Sequence, residues 1–477
     1  MTAYSRSICL VYAALLAFGC TTAATAPSAA DSAVGDAASD GSTYVPPDIA
    51  KDSGADAAAD ALNDAPADAD ALPAETTIAN DAGGGLPAKV FALGPAQALF
   101  DPLGIHEVAV TLSSADWKSY LAGVAKPDSL KTYAWYTASV VFDGQATSNI
   151  GVSGYGNGSQ ISNPGKPNMK LKFDHVDNAL VGPEKQKQIR LKASGQDGTF
   201  LREPLAGALL RSIGGNAPRF SWAHLTVNGE DFGFYQLFEA VDKRFFSANF
   251  GNKDGSKFET IVGCQGLNCP GGDCSKLAND YEGDPGATTT LAALATEITT
   301  TSEDQFAAAL ADSLYVDEFL ADYAVDAVLS NLDGLASAGQ NFTFYADEKT
   351  KRLHLIATGT DLTFGYFAGA WYPLEAPWGA PNGWCKNRHD TLFERIWANP
   401  TLKSQLLAKL RALQCGLFAQ TTLVPIVQAY HEVLTPWVYA DPKGIRDKPT
   451  LDKLHQAMVD YIGSRQATLA ALLGACP

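Results

Sequence analysis

Residues 316–347 read VDEFLADYAVDAVLSNLDGLASAGQNFTFYAD, and the spacing of the apolar residues changes within them. From Val316, apolar positions fall at Phe319, Leu320, Tyr323, Ala324, Ala327 and Val328, the i, i+3, i+4 stripe of a buried helix face. The helix is expected to end at Asn331, and Asp333-Gly334 to turn the chain into two short strands, NFTFYAD (341–347) and RLHLIA (352–357). Upstream the spacing is that of strands. HEVAVTL (106–112) alternates, and SADWKSYLAG (114–123) then opens a helix with Ser114 as its cap. TASVVFDG (137–144) closes in an Asp-Gly turn, while MKLKF (169–173) and QIRLKA (188–193) alternate again. LREPLAGALLRSIG (201–214) reads as a helix, and WAHLTVNGEDFGFYQLFEAVD (222–242) as a hairpin turning at Asn228-Gly229. Downstream of His389 the chain is one amphipathic helix after another. A strand-rich N-terminal part followed by a helix-rich C-terminal part indicates an α+β body.

The remaining chain bounds where that body works. Residues 1–20, MTAYSRSICLVYAALLAFGC, carry one early charge, Arg6, and an apolar run from Ile8 to Phe18. The run is too short to span a bilayer and reads as an export signal. Its end, LAFGC, resembles a bacterial lipobox with Cys20 as the lipid-accepting thiol, which would tether the protein to the cell envelope, in the periplasm or at the surface. Residues 21–88 are mostly Ala, Asp, Ser, Thr, Pro and Gly, with Tyr44 their only aromatic, too little apolar surface to offset chain entropy. Between 21 and 81, twelve acids stand against Lys51 alone. The net charge of −17 is therefore mostly that of a self-repelling acidic tether, and residues 82–477 carry about −7. No basic stripe interleaves with aromatics, which argues against nucleic-acid binding. Six cysteines lie in the body, at 264, 269, 274, 385, 415 and 476. The gaps in CQGLNCPGGDC are wider than those of zinc sites, and in an exported chain up to three disulfides are expected.

Several stretches could carry chemistry. GVSGYGNGSQ (151–160) holds glycines at 154, 156 and 158 between two strands. A glycine-rich hairpin of this kind can lie over phosphates and offer them backbone N–H groups. Lys170 and Lys172, on one face of the following strand, could reach such phosphates or simply face solvent. Arg202 opens a helix, an end that favours acids rather than bases, so a partner is expected, either Asp197 or a phosphate. Glu239 follows an apolar strand and could meet a buried lysine. Asp333, Asn341 and Asp361, the last in GTDLTFG (359–365), sit at the ends of a helix and adjacent strands, where they could converge on one cleft. A catalytic aspartate, a metal-binding asparagine and a metal-binding aspartate are the minimum set for phosphoryl transfer, and magnesium suits such oxygens.

The order GYGNGS, MKLKF, LKASGQDGTFLREPLA, NGEDFGFYQLFEAVDKRFF, NLDG followed by NF, GTDLTFG and LFERIWANP resembles the CotH kinase family, known from bacterial spore coat proteins. The resemblance covers about 105–415. It implies a divergent, two-lobed protein-kinase-like fold over 89–477, with an N-lobe to about 245 and a C-lobe from about 246. It implies ATP with Mg2+ or Mn2+ as cofactors, and transfer to a serine or threonine of a partner protein. Carried over, it makes Asp333 the catalytic aspartate, with Asn341 supporting it and the metal, and Asp361 a metal ligand. Gly154, Gly156, Asn157, Gly158 and Ser159 become the phosphate loop; Arg202, Glu239 and Asp242 match recurrent positions of the family, and Arg202 and Glu239, with Lys170 and Lys172, are expected to help bind the nucleotide. Two departures stand out. Ser153 replaces an arginine before the loop, and Gly359 replaces the first acid of an acid-x-acid pair. The second departure keeps an alternative open: a catalytically weak or inactive kinase-like lipoprotein that binds or organises envelope partners.

Overall fold

The computed structural model describes residues 98–125, 133–156, 165–260, 281–283, 287–366, 391–444 and 448–477, with 159, 267 and 374 singly. The chain divides into Met1–Asp70 and Ala71–Pro477, and every described residue belongs to the second unit. The export signal with Cys20, the tether, Asn157, Gly158 and four of the cysteines (264, 269, 274 and 385) lie outside the described residues.

Strand β1 (Ile105–Thr111) leads into helix α1 (Ser114–Val124), then β2 (Tyr136–Phe142), β3 (Gln145–Gly154), β4 (Met169–Lys172) and β5 (Gln188–Lys192). The cap of α1 is Ser113 rather than Ser114, because the Ser113 side chain accepts the N–H of Asp116. Helix α2 (Arg202–Ser212) follows, then β6 (Phe220–Val227) and β7 (Glu230–Glu239). The seven strands close into a barrel in the order β1-β2-β3-β4-β5-β7-β6, antiparallel except where β6 runs parallel to β1 and closes it. Alternation explains the closure. Val108, Val110, Val140, Ile150, Val152, Met169, Leu171, Ile189, Leu191, Leu225 and Leu237 all belong to one buried cluster, so one side chain in two points inward and the other outward. The β6–β7 turn takes positive φ at Asn228 and Gly229, as the Asn-Gly pair requires.

The remaining body is mostly helical. Helix α3 (Lys243–Phe250) precedes β8 (Ser256–Thr260) and β9 (Tyr281–Gly283), which join a second sheet in the order β11-β10-β8-β9. Helices α4 (Ala287–Thr300), α5 (Phe306–Ser313), α6 (Val316–Leu329) and the short α7 (Leu335–Ala338) come before β10 (Phe342–Ala346) and β11 (Leu353–Ala357). Helices α8 (Thr391–Ala398), α9 (Pro400–Cys415), α10 (Gln420–Ala440) and α11 (Lys448–Leu473) complete the chain. Every residue of α6 from Phe319 to Leu329 is buried, so the helix is a central axle with the other elements around it. A disulfide joins Cys415, at the end of α9, to Cys476, beyond α11. The fold is thus α+β, with the strands in front and the helices behind.

Candidate active site

The site forms where the barrel meets α6. Lys192 is the last residue of β5, on the face opposite the barrel core, and it is buried. Its Nζ bonds Glu203 Oε2 and lies 3.3 Å from Asp361 Oδ2. Burial alone would lower the Lys192 pKa, but the facing carboxylates of Asp361 and Glu203 outweigh it and raise the value, so the ammonium stays charged. Glu203 stands in the first turn of α2, where the helix dipole favours an acid. Its other oxygen accepts the N–H of Gly359 at 3.1 Å. One carboxylate therefore holds both the strand lysine and the turn that carries Asp361.

Asp361 is buried, and its Oδ2 accepts no hydrogen bond from any described group. Burial raises its pKa, with Lys192 pulling the other way. Asp333 sits in the turn after α6. Gln340 donates to its Oδ1, and Asn341 Nδ2 donates to its Oδ2 at 2.7 Å and to its backbone carbonyl at 2.9 Å. Burial, then the charge of Asp361, push the Asp333 carboxyl up to about 7. The turn itself is built from Ser330 in the left-handed region, whose following residue Asn331 bonds Asp326 on one side and the N–H of Asp333 on the other.

The glycine loop approaches from the barrel side. Gly154 closes β3 against Val124 and Tyr133, where a Cβ would lie 2.6 Å from Val124 Cγ1. Gly156 takes φ +86° and its carbonyl accepts the Tyr133 hydroxyl. Asn168 donates to Ser159 Oγ and accepts the N–H of Ala193, next to Lys192. Tyr155 is near enough to Lys192, Arg190, Glu203 and Asp361 for its pKa to respond to all four, after burial, which raises it most.

Asp333, Asn341 and Asp361 thus share one site, with part of the glycine loop nearby. Lys170 and Lys172 lie half-buried on β4, Lys170 in register with Arg190, two positions before the site lysine. One expectation needs correction. Glu239 meets no lysine among the described residues; both its oxygens take the Arg219 guanidinium, and it is buried. Arg202 has the first of its two expected partners: Nη1 bonds Asp197 Oδ1 at 2.7 Å, and Nε bonds the Thr363 carbonyl at 3.1 Å. Asp242 caps α3 through the N–H groups of Arg244 and Phe245. Lys192, Glu203 and Gln340 are the residues that sequence reasoning missed. A signal existed for the first two, a lysine ending an alternating strand and an acid in the first turn of the next helix.

The residues fit a hard divalent cation. Asp361 Oδ2 makes no hydrogen bond to a described group, although the Lys192 ammonium stands 3.3 Å from it, and Asn341, whose Nδ2 is bound to Asp333, keeps Oδ1 as an acceptor. No group of three or more metal-binding side chains occurs among the described residues, so nucleotide oxygens and water would complete such a shell.

A strand lysine paired to a helix glutamate, beside two aspartates on separate turns, is the layout of phosphoryl-transfer enzymes. Residues 156–469 match the CotH kinase protein family, and the chain belongs to it; its members are generally ATP-dependent protein kinases. The inner spore coat protein H of Bacillus subtilis (strain 168) is 23% identical over 290 residues, 59% of this chain and 77% of that protein. A crystal structure of a Helicobacter pylori proinflammatory kinase, CtkA, is similar at 10% identity, over 64% of this chain and 94% of that one, with a TM-score of 0.27.

Proposed function

We propose that this protein is an exported, lipid-anchored CotH-type kinase that transfers the γ-phosphoryl group of ATP to a serine or threonine of a partner protein in the cell envelope. The observation that carries the reading is the Lys192–Glu203 pair abutting Asp361, with Asp333 held by two amides across the same site. Asp361 and Asn341 would hold Mg2+ or Mn2+, which supplies charge neutralisation at the phosphates. Lys192 would steady the phosphates while Glu203 fixes its ammonium. Asp333 orients the acceptor hydroxyl and takes its proton as that oxygen bonds phosphorus and the bond to the ADP oxygen breaks. A carboxyl pushed up to about 7 is suited to receiving that proton.

Purified protein with labelled ATP and magnesium is expected to transfer label to protein, and Asp333→Ala to abolish it; unchanged transfer in that variant removes Asp333 from the catalytic role. A second reading, a non-catalytic envelope-organising module, draws on Gly359, which stands where the family pattern has an acid. Nucleotide with manganese that leaves the melting temperature unmoved at millimolar concentration would favour this second reading.

A further inference from the structure

We infer that Tyr461 and Arg465, on the last helix of the chain, are positioning residues for both aspartates of the site; the inference rests on the kinase reading above. The carbonyls that end a helix have no partner within it and must find donors elsewhere. At the end of α6 the N–H groups of Ser330 and Asn331 supply some of those donors, and the last helix supplies others. Arg465 Nη2 bonds the Ala327 carbonyl, and Arg465 Nε bonds the Val328 carbonyl at 3.1 Å. Tyr461 Oη donates to the same Val328 carbonyl at 2.7 Å and lies 2.8 Å from Ser330 Oγ. The Leu329 carbonyl accepts the N–H of Gly365, four residues past Asp361, at 3.4 Å.

This end of α6 is therefore the junction of the two functional turns. Three residues past Ser330 stands Asp333. Phe364, three residues past Asp361, packs edge-on against the Tyr461 ring, centroids 6.1 Å apart. Arg465 is fully buried, 0% exposed, although arginine almost never is. A guanidinium at the negative end of the helix dipole is favourable, and it fixes where the helix stops. Ser330 holds φ +52°, which a serine adopts only when its surroundings dictate it, and the Tyr461 hydroxyl is among those surroundings. The C-terminal end of helix α11 is anchored to α9. Arg411 bonds the carbonyls of Leu473, Gly474 and Ala475, and Cys476 is joined to Cys415. Helix α11 meets the two turns through Ser330 and Phe364.

The experiment uses the full chain and compares Tyr461→Phe, Arg465→Lys and Arg465→Met. Tyr461→Phe keeps the ring packing and removes only the hydroxyl, so it should fold. The expected result is a kcat at least tenfold lower with KM for ATP changed less than twofold, and partial rescue of Arg465→Met by Arg465→Lys. A purely structural role predicts a lower melting temperature with unchanged kcat per folded molecule, and that result would overturn the inference. Hydrogen exchange gives a readout that needs no activity. Amides 330–334 and 361–365 should exchange faster in Tyr461→Phe, while those of the barrel strands do not change. If the parent protein transfers no phosphate, the kinase reading fails; the exchange pattern then still decides whether α11 positions the two turns, and unchanged exchange sinks it.

Discussion

Replacing Asp333 by asparagine should make the protein inactive and, above neutral pH, more stable. The Asp333 carboxyl is raised to about 7 by burial and by the neighbouring charge of Asp361. In the unfolded chain an aspartate titrates near 4. Below about pH 4 the group is protonated in both states and contributes no difference. As pH rises through the window from about 4 to about 7, the unfolded chain loses its proton first, and the folded state is progressively penalised for holding a carboxyl that cannot easily ionise. At pH 8 the penalty reaches about 4 kcal/mol, at about 1.4 kcal/mol for each pH unit of the difference. Asparagine removes that penalty but can accept only one of the two amide donors now aimed at it, from Gln340 and Asn341. Losing the other costs about 1–3 kcal/mol. The expected net gain at pH 8 is about 1–3 kcal/mol, or a few degrees in Tm, vanishing or reversing at pH 4. Thermal unfolding in EDTA without nucleotide, across pH 4 to 8.5, would measure it. Parallel Tm-versus-pH curves for the two proteins would refute the reasoning, because they would mean that Asp333 ionises normally in the folded state.

Three further outcomes follow from the same geometry. Lys192→Met leaves the buried Asp361 and the half-buried Glu203 without their cation and should cost about 3–5 kcal/mol in a urea titration, with Glu203→Gln added to it recovering part of the stability and none of the phosphate transfer. Gly359→Asp should not raise transfer and should cost about 1–3 kcal/mol, because position 359 takes φ +62° and a Cβ there would lie 2.9 Å from Asn341 Oδ1; a variant as stable as its parent in urea would contradict this. His455, held at about 4 chiefly by burial, binds fewer protons folded than unfolded, so its contribution of about 3 kcal/mol is present above about pH 6.5 and lost as pH falls toward 4, and His455→Gln should flatten the acid limb of the Tm profile.

The parts of the fold legible in the sequence were those whose side chains follow a period. Alternation marked the barrel strands, because a closed barrel buries one side chain in two, and the i, i+3, i+4 stripe marked α6. The Asn228-Gly229 turn was legible because its backbone demands positive φ at both residues. The closure of the barrel was not, since the parallel pairing of β1 with β6 joins segments more than a hundred residues apart and leaves no local trace. The site divides in the same way. Asp333 and Asp361 sit at the ends of periodic elements, where a break in pattern attracts attention. Lys192 and Glu203 sit inside their patterns, as one more polar residue on a strand and one more acid in a first helical turn. Only the fold brings them together. Glu239 shows the reverse error: the reading that a carboxylate after an apolar strand needs a buried cation was right, but the cation is Arg219, its neighbour across the hairpin.

Gly359 bears on whether this chain is a catalyst, and its surroundings explain more than the missing acid alone. The position is left-handed, its missing Cβ leaves room for Asn341 Oδ1, and its N–H is taken by Glu203. A carboxylate there would collide with the asparagine that holds Asp333. It would also stand beside Glu203, which already balances Lys192. The three carboxylates of Asp333, Asp361 and Glu203 against the one ammonium of Lys192 leave two negative charges when all are ionised, the charge of one divalent cation. A fourth carboxylate would leave three, in a buried site where an unpaired charge is severely penalised. The glycine is thus consistent with the rest of the site as built, and a cleft balanced for one cation has no need of the second acid. What the kinase reading requires of this corner is an Asp361 oxygen that a cation can reach, and Oδ2 makes no hydrogen bond to a described group, with the Lys192 ammonium 3.3 Å away.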